Sequence, residues 1–143
     1  MNKIKYLNYN YMSTRSNIAI KIKEEDKGKT FKAWNNVNFK ISEDTEYLQV
    51  YCHFDGYLEG VGADLLSDFN NYDDAFNLII KGDMSSINDY YYERPHEDWE
   101  YIKPIELKTF DFNKKISNDY YYLFENNKWI YRNWNDDEWH ELK

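Results

Sequence analysis

The stretch from Tyr47 to Phe69, YLQVYCHFDGYLEGVGADLLSDF, changes its hydrophobic period part-way along, and that change constrains the fold more than any other feature of the chain. Up to Phe54 the residues alternate. Leu48, Val50, Cys52 and Phe54 fall on one face and Tyr47, Gln49, Tyr51 and His53 on the other, the pattern of a half-buried strand. From Leu58 onward Leu58, Val61, Leu65, Leu66 and Phe69 share one helical face. Asp55-Gly56 breaks the strand. Gly60 and Gly62 mark the join, where backbone freedom or close approach outweighs side-chain packing. Cys52 lies on the apolar face and reads as a small buried hydrophobe.

The flanking segments extend this to an α+β fold. Residues 1–12 have no clear period and read as a flexible extension, with Met12 as an alternative start and residues 13–143 as a single domain. Asn17–Lys23 alternates and predicts a first strand. The charged EEDKGK at 24–29 is a turn. A second strand region runs from Phe31 to Ile41, with Val37, Phe39 and Ile41 on one face and Asn35-Asn36 as a turn or bulge. Asn70-Asn71 ends one helix and caps another, in which Tyr72, Ala75, Phe76, Ile79 and Ile80 form the apolar face; Gly82 stops it. Tyr90–Pro104, YYYERPHEDWEYIKP, reads as an irregular loop. Further strands are expected at 106–112, 119–125, 128–134 and 138–142, with Asn126-Asn127 as a hairpin turn. The expected fold is an antiparallel sheet with two helices inserted after the third strand and packed on one face.

Composition narrows the functional classes. The 143 residues carry a net charge of −8, which argues against direct nucleic-acid binding. Aromatic residues make up 20% of the chain, including 15 Tyr and 5 Trp, so many rings must sit partly exposed and are candidate contact surface. A lone cysteine favours a reducing cytoplasm. No run approaches the roughly 18 apolar residues of a membrane span, and no signal-peptide core is present. The expectation is a cytoplasmic protein without cofactor or metal, of open oligomeric state.

The ionisable residues His53, Asp55 and Glu59, with Tyr57 between them, gather at the end of the 47–54 strand. They suggest either a general base oriented by a carboxylate or a surface cluster that supports the turn; the spacing suits a catalytic pair or a metal poorly. The glycines of DGYLEGVGAD resemble an anion-cradling turn, although the spacing is neither a P-loop nor a dinucleotide fingerprint. Arg15 is placed to pair with Asp55 or Glu59, or to hold a phosphate, if the strands carrying them are neighbours. Arg94 and Arg132 read as surface salt-bridge partners. Two acidic, aromatic segments stand out: Tyr90–Tyr101, with Glu97, Asp98, Trp99 and Glu100, and Trp134–Glu141. Carboxylates interleaved with rings can imitate nucleic acid before a basic protein surface, or can simply be a solvated face.

At STRSNI (13–18), CHFDGYLEGVG (52–62), LIIKGDMSSI (78–87) and YYYLFENNKWIY (120–131) the chain resembles a family of small proteins encoded by phages and prophages. Where that family has CHWDGY followed by Pro, Phe54 and Leu58 stand here, while Asp55, Gly56, Tyr57, Glu59 and Gly62 are kept. The resemblance implies a phage setting and no particular chemistry. The expectation is a non-enzymatic, anti-CRISPR-like inhibitor of a bacterial defence system that binds a host defence protein, such as a CRISPR effector, in the host cytoplasm. The rivals are a sponge for a nucleotide-derived defence messenger, and a small enzyme using His53 and Asp55.

Overall fold

The computed structural model describes residues 14–34, 37–88 and 100–143. The expected extension at 1–12 and most of the 90–104 loop lie outside them. The architecture is α+β. A six-stranded sheet has the order β5-β4-β1-β6-β7-β8, formed by β1 (Ser16–Lys21), β4 (Tyr47–Cys52), β5 (Ile105–Leu107), β6 (Tyr120–Glu125), β7 (Lys128–Asn133) and β8 (His140–Glu141). A separate two-stranded ribbon pairs β2 (Thr30–Trp34) with β3 (Val37–Lys40). Two helices follow β4: α1 (Ala63–Asp68) and α2 (Tyr72–Ile80). They therefore come after the fourth strand and not the third, because the strand region read over 31–41, with Asn35-Asn36 as a turn or bulge, is two antiparallel strands, with an irregularity between Lys32 and Trp34. Phe39 and Ile41 are buried as the alternation requires, but Val37 is exposed.

All pairings in the large sheet are antiparallel except one. β1 runs parallel to β6, with Ile18 opposite Tyr122, and antiparallel to β4, with Ile18 opposite Val50. Alternation then sorts the side chains. Ile18, Ile20, Leu48, Val50, Cys52, Tyr122, Phe124 and Trp129 face the helices and form the main core with Val61, Leu65, Phe69, Phe76 and Ile79. The indole N–H of Trp129 donates to the Phe69 carbonyl at 2.9 Å, so β7 satisfies an acceptor at the end of α1. In α2 the Asn71 side chain accepts from the Asp74 N–H at 2.9 Å, and Gly82 takes φ 85° just beyond the helix, as the sequence indicates.

The opposite face carries Ala19, Tyr47 and Leu123 with Phe110, Phe112, Tyr121, Ile130 and Trp139. Strand pairing after Ile105 stops at Leu107, short of the expected Phe112. Residues 108–119 instead cross this second face as a strap. Its anchor is Arg132, which sequence alone places at the surface. Only 3% exposed, Arg132 donates from Nη1 to the Lys114 carbonyl at 2.8 Å and the Phe112 carbonyl at 3.3 Å, and from Nε to the Asp136 carbonyl at 2.7 Å. It falls on the strap-facing side of β7 with Ile130, and carbonyls satisfy most of its donors.

Two predictions follow from these elements. Asn126 and Asn127 both hold positive φ, 54° and 64°, between β6 and β7, a two-residue turn that favours glycine at its second position. Asn127→Gly should raise unfolding stability by a few tenths of a kcal/mol and Asn127→Ala should lower it by about 1 kcal/mol, read by urea denaturation. The Glu46 carboxylate sits 2.7 Å from Lys21 Nζ and 2.6 Å from Lys27 Nζ, and hydrogen bonds from Lys21 and then Lys27 hold its pKa down to about 2, from an ordinary 4.5. A carboxyl depressed by folding contributes stability above its unfolded pKa and loses it as pH falls through the folded value. Melting temperature should therefore fall between about pH 4.5 and 2, and Glu46→Gln should flatten that part of the profile.

Candidate functional site

The turn after β4 is built by hydrogen bonds from three directions. His53 N–H donates to Met84 O at 3.2 Å and Phe54 N–H to Ser85 O at 2.8 Å, which fixes the end of the strand. Asp55 then adopts φ 59°, a left-handed conformation that Asp tolerates better than most residues. Gly56 closes onto the start of β1, its N–H donating to Thr14 O at 3.0 Å, while its carbonyl accepts from the buried Tyr122 hydroxyl at 2.7 Å. Burial pushes that hydroxyl's pKa far above the ordinary tyrosine range. Leu58–Gly62 forms a π-helical turn leading into α1, so the helical pattern read from Leu58 begins with a wider turn. Gly60 is required by contact: a Cβ there would lie 2.3 Å from the Asp55 carbonyl oxygen, which accepts from Val61 N–H at 2.8 Å.

The register Ser16 opposite Cys52 makes the first strand and the strand before the loop direct neighbours, the condition set for Arg15 to reach the loop. Arg15, His53, Asp55, Tyr57 and Glu59 thus gather at one end of the sheet, but their bonds divide them. His53 Nδ1 lies 2.7 Å from the Tyr51 hydroxyl, with the ring edge-on to Phe54 at 4.5 Å. Asp55 accepts from the Tyr57 hydroxyl at 3.2 Å. His53 and Asp55 therefore have separate partners and form no hydrogen-bonded pair. Arg15 is anchored through its backbone: its N–H donates to Asp119 Oδ2 at 2.9 Å, and its carbonyl accepts from Asp119 and Tyr120 N–H. Its exposed guanidinium makes no ion pair with a carboxylate among the described residues, Asp55 and Glu59 included.

The glycine loop does not form the anion cradle that its sequence resembles. The N–H groups of Gly56, Gly60, Val61 and Gly62 donate to Thr14, Tyr57, Asp55 and Tyr57 carbonyls respectively, so the loop glycines themselves offer a phosphate no N–H. The surroundings are acidic: burial raises the Asp64 pKa, and Asp68 and Asp55 add to the rise. Among the described residues no group of His, Cys, Asp or Glu is arranged to hold a metal, and no helix is long and apolar enough to cross a membrane.

The second acidic, aromatic segment presents a better-defined surface. Trp134 is 62% exposed, and its backbone N–H donates to the Asp119 carbonyl at 3.0 Å. Behind it the chain turns twice. Asn133 Oδ1 accepts from Asn135 N–H at 3.0 Å, and Asp136 Oδ1 accepts from Glu138 N–H at 2.9 Å. The Glu138 N–H, then His140, hold the Asp136 carboxyl below its ordinary pKa. Asp137 and Glu138 are exposed, and Asp137 lies 3.7 Å from Arg132 Nη2. Half-buried Tyr131 and His140 pack together beside this turn, 5.4 Å between ring centroids. In the first acidic segment Glu100 is exposed, whereas Glu97, Asp98 and Trp99 lie outside the described residues. Sequence reasoning named the Trp134–Glu141 segment but not the arginine beneath it; the signal was that Arg132 has the same strand parity as Ile130.

No family model matches the chain, and neither the curated proteins nor the solved structures contain a match.

Gly60→Ala should cost more than 2 kcal/mol by rough estimate, since the new methyl collides with rigid backbone. Gly62→Ala should cost less, because a Cβ there meets Tyr122 Oη at 3.3 Å and the movable Leu142 side chain at 3.4 Å. Chemical denaturation of both variants reads the difference; equal stabilities would mean that the loop is not held by the Asp55–Gly60 approach.

Proposed function

We propose that the protein is a phage-encoded, non-enzymatic inhibitor of a bacterial defence system that acts by binding a basic surface of a host protein, in its strongest form the nucleic-acid channel of a CRISPR effector. The supporting observation is the turn at 134–138, which holds an exposed tryptophan beside Asp136, Asp137 and Glu138 over a buried arginine. Exposed Trp is the side chain most enriched among interface anchors. Holding it on a hydrogen-bonded turn reduces the ordering cost of association. The flanking carboxylates and the net charge of −8 favour a basic partner and speed encounter with it.

The separate partners of His53 and Asp55 favour binding over catalysis at the other end of the sheet. The internally bonded N–H groups of the glycine loop likewise weigh against a messenger pocket there.

Trp134→Ala should weaken capture of the host target by roughly 30-fold, about 2 kcal/mol, with the melting temperature unchanged. Charge reversal at Asp137 and Glu138 should lower the association rate and its salt dependence. The measurement is pull-down from host cells with intact defence systems, followed by surface plasmon resonance on the captured protein. The parallel reversal at Glu97, Asp98 and Glu100 tests the first acidic segment. If inhibition of every defence system survives both sets of reversals, the acidic, aromatic surface is not the active one.

A further inference from the structure

The second face of the sheet is not fully covered by the strap. Between the strap, β5 and the floor formed by β1, β4 and β6 lies a cavity of about 510 Å³, within the range of small-molecule sites. Asn17, Gln49 and Tyr121 supply its floor, with Phe110 and Trp139 in the wall. The polar groups of the floor are only half used. Gln49 Oε1 accepts from the Tyr121 hydroxyl, and Asn17 Oδ1 accepts from the Asn118 amide. The amide nitrogens of Asn17 and Gln49 have no hydrogen-bond partner among the described residues. At the rim stand Lys114 and Lys115, with Asp111 as the only carboxylate in the lining. Neither lysine makes an ion pair among the described residues. In a chain with net charge −8, this cavity's lining carries two cations against one carboxylate.

The wall is built and not incidental. Arg132 holds the Phe112 and Lys114 carbonyls, and the Trp139 indole N–H donates to Phe112 O at 2.8 Å. Asn118 and Asp119 tie the far end of the strap to Asn17 and Arg15. The rings of Phe110 and Trp139 lie 5.8 Å apart, edge to face, against Tyr121, leaving aromatic surface for a planar ring to contact.

We infer that this cavity binds a nucleoside phosphate, with its base against the Phe110 and Trp139 wall, its acceptors on the Asn17 and Gln49 amides, and its phosphate between Lys114 and Lys115. The site is separate from the Trp134 turn and from the glycine loop. It would give the protein a ligand-binding activity in addition to partner binding.

The test is isothermal titration of the full chain with AMP, GMP, CMP and UMP, alongside adenosine, ribose 5-phosphate and inorganic phosphate. At least one nucleotide should bind 1:1 and shift the side-chain amide signals of Asn17 and Gln49 and the Trp139 indole signal in NMR spectra. Adenosine and ribose 5-phosphate should each bind at least about tenfold more weakly than the best nucleotide. Lys114→Glu with Lys115→Glu, at exposed positions, should weaken binding by about tenfold or more. Trp134→Ala should leave it unchanged. Binding of inorganic phosphate as tight as that of every nucleotide would overturn the nucleoside assignment. No binding of any nucleotide at millimolar concentration, or binding unaffected by the double lysine reversal, would overturn the site itself.

Discussion

The two halves of the large sheet meet along one parallel pairing. β5, β4 and β1 form an antiparallel triplet, β6, β7 and β8 form another, and β1 beside β6 joins them. Everything described at the ends of the sheet depends on that joint. Arg15 accepts from the N–H groups of Asp119 and Tyr120 just before the ladder begins. Directly across it the Tyr122 hydroxyl reaches the Gly56 carbonyl, so the loop after β4 is braced by a strand from the other end of the chain. Because Tyr122 and Trp129 are both almost fully buried and both donate to backbone carbonyls, their rings carry core packing while their polar atoms satisfy irregular backbone that would otherwise be costly to bury.

The same economy operates on the second face, where one buried cation sits beside the smaller hydrophobic cluster. Arg132 gathers carbonyls from the strap and from the turn that displays Trp134. A single buried guanidinium thus positions both the exposed acidic turn and the wall of the cavity. A buried arginine left without its acceptors is strongly unfavourable, so the two surfaces share one anchor.

Much of the fold was legible wherever a local rule decides the backbone. The alternation of Ile18 and Ile20, of Leu48, Val50 and Cys52, and of Tyr122 and Phe124 gives the strands and their inner face. Asn71, Gly82 and Asn126-Asn127 occupy the cap, stop and turn that their chemistry favours. Non-local pairing was not legible. Nothing in the period of β1 says that its second neighbour lies about a hundred residues away and parallel, whereas the turn or bulge read at Asn35-Asn36 falls between the end of β2 and the start of β3. Arg132 was misplaced because a charge on a strand is ordinarily assigned to solvent, and carbonyls of the strap and of the 134–138 turn make its burial tolerable. At the candidate site the sequence put Arg15 near the loop only on condition that the two strands are neighbours, which they are, and could not show that His53 and Asp55 take separate tyrosine partners. The cavity had no sequence signature at all, since its donors come from three separate segments, β1, β4 and the irregular strap.

The outermost strands of the sheet are its shortest. β5 has three residues and β8 has two, and both end in irregular chain. An extended segment arriving at either side would find backbone for only a few ladder hydrogen bonds before the template runs out. Long, flat edges are where sheets from different molecules join into fibres, and in this fold twenty per cent aromatic content would make such joining adhesive. The brevity of the two outer strands lets a ring-rich chain expose Trp134 on a turn while its large sheet offers little edge backbone for cross-β growth.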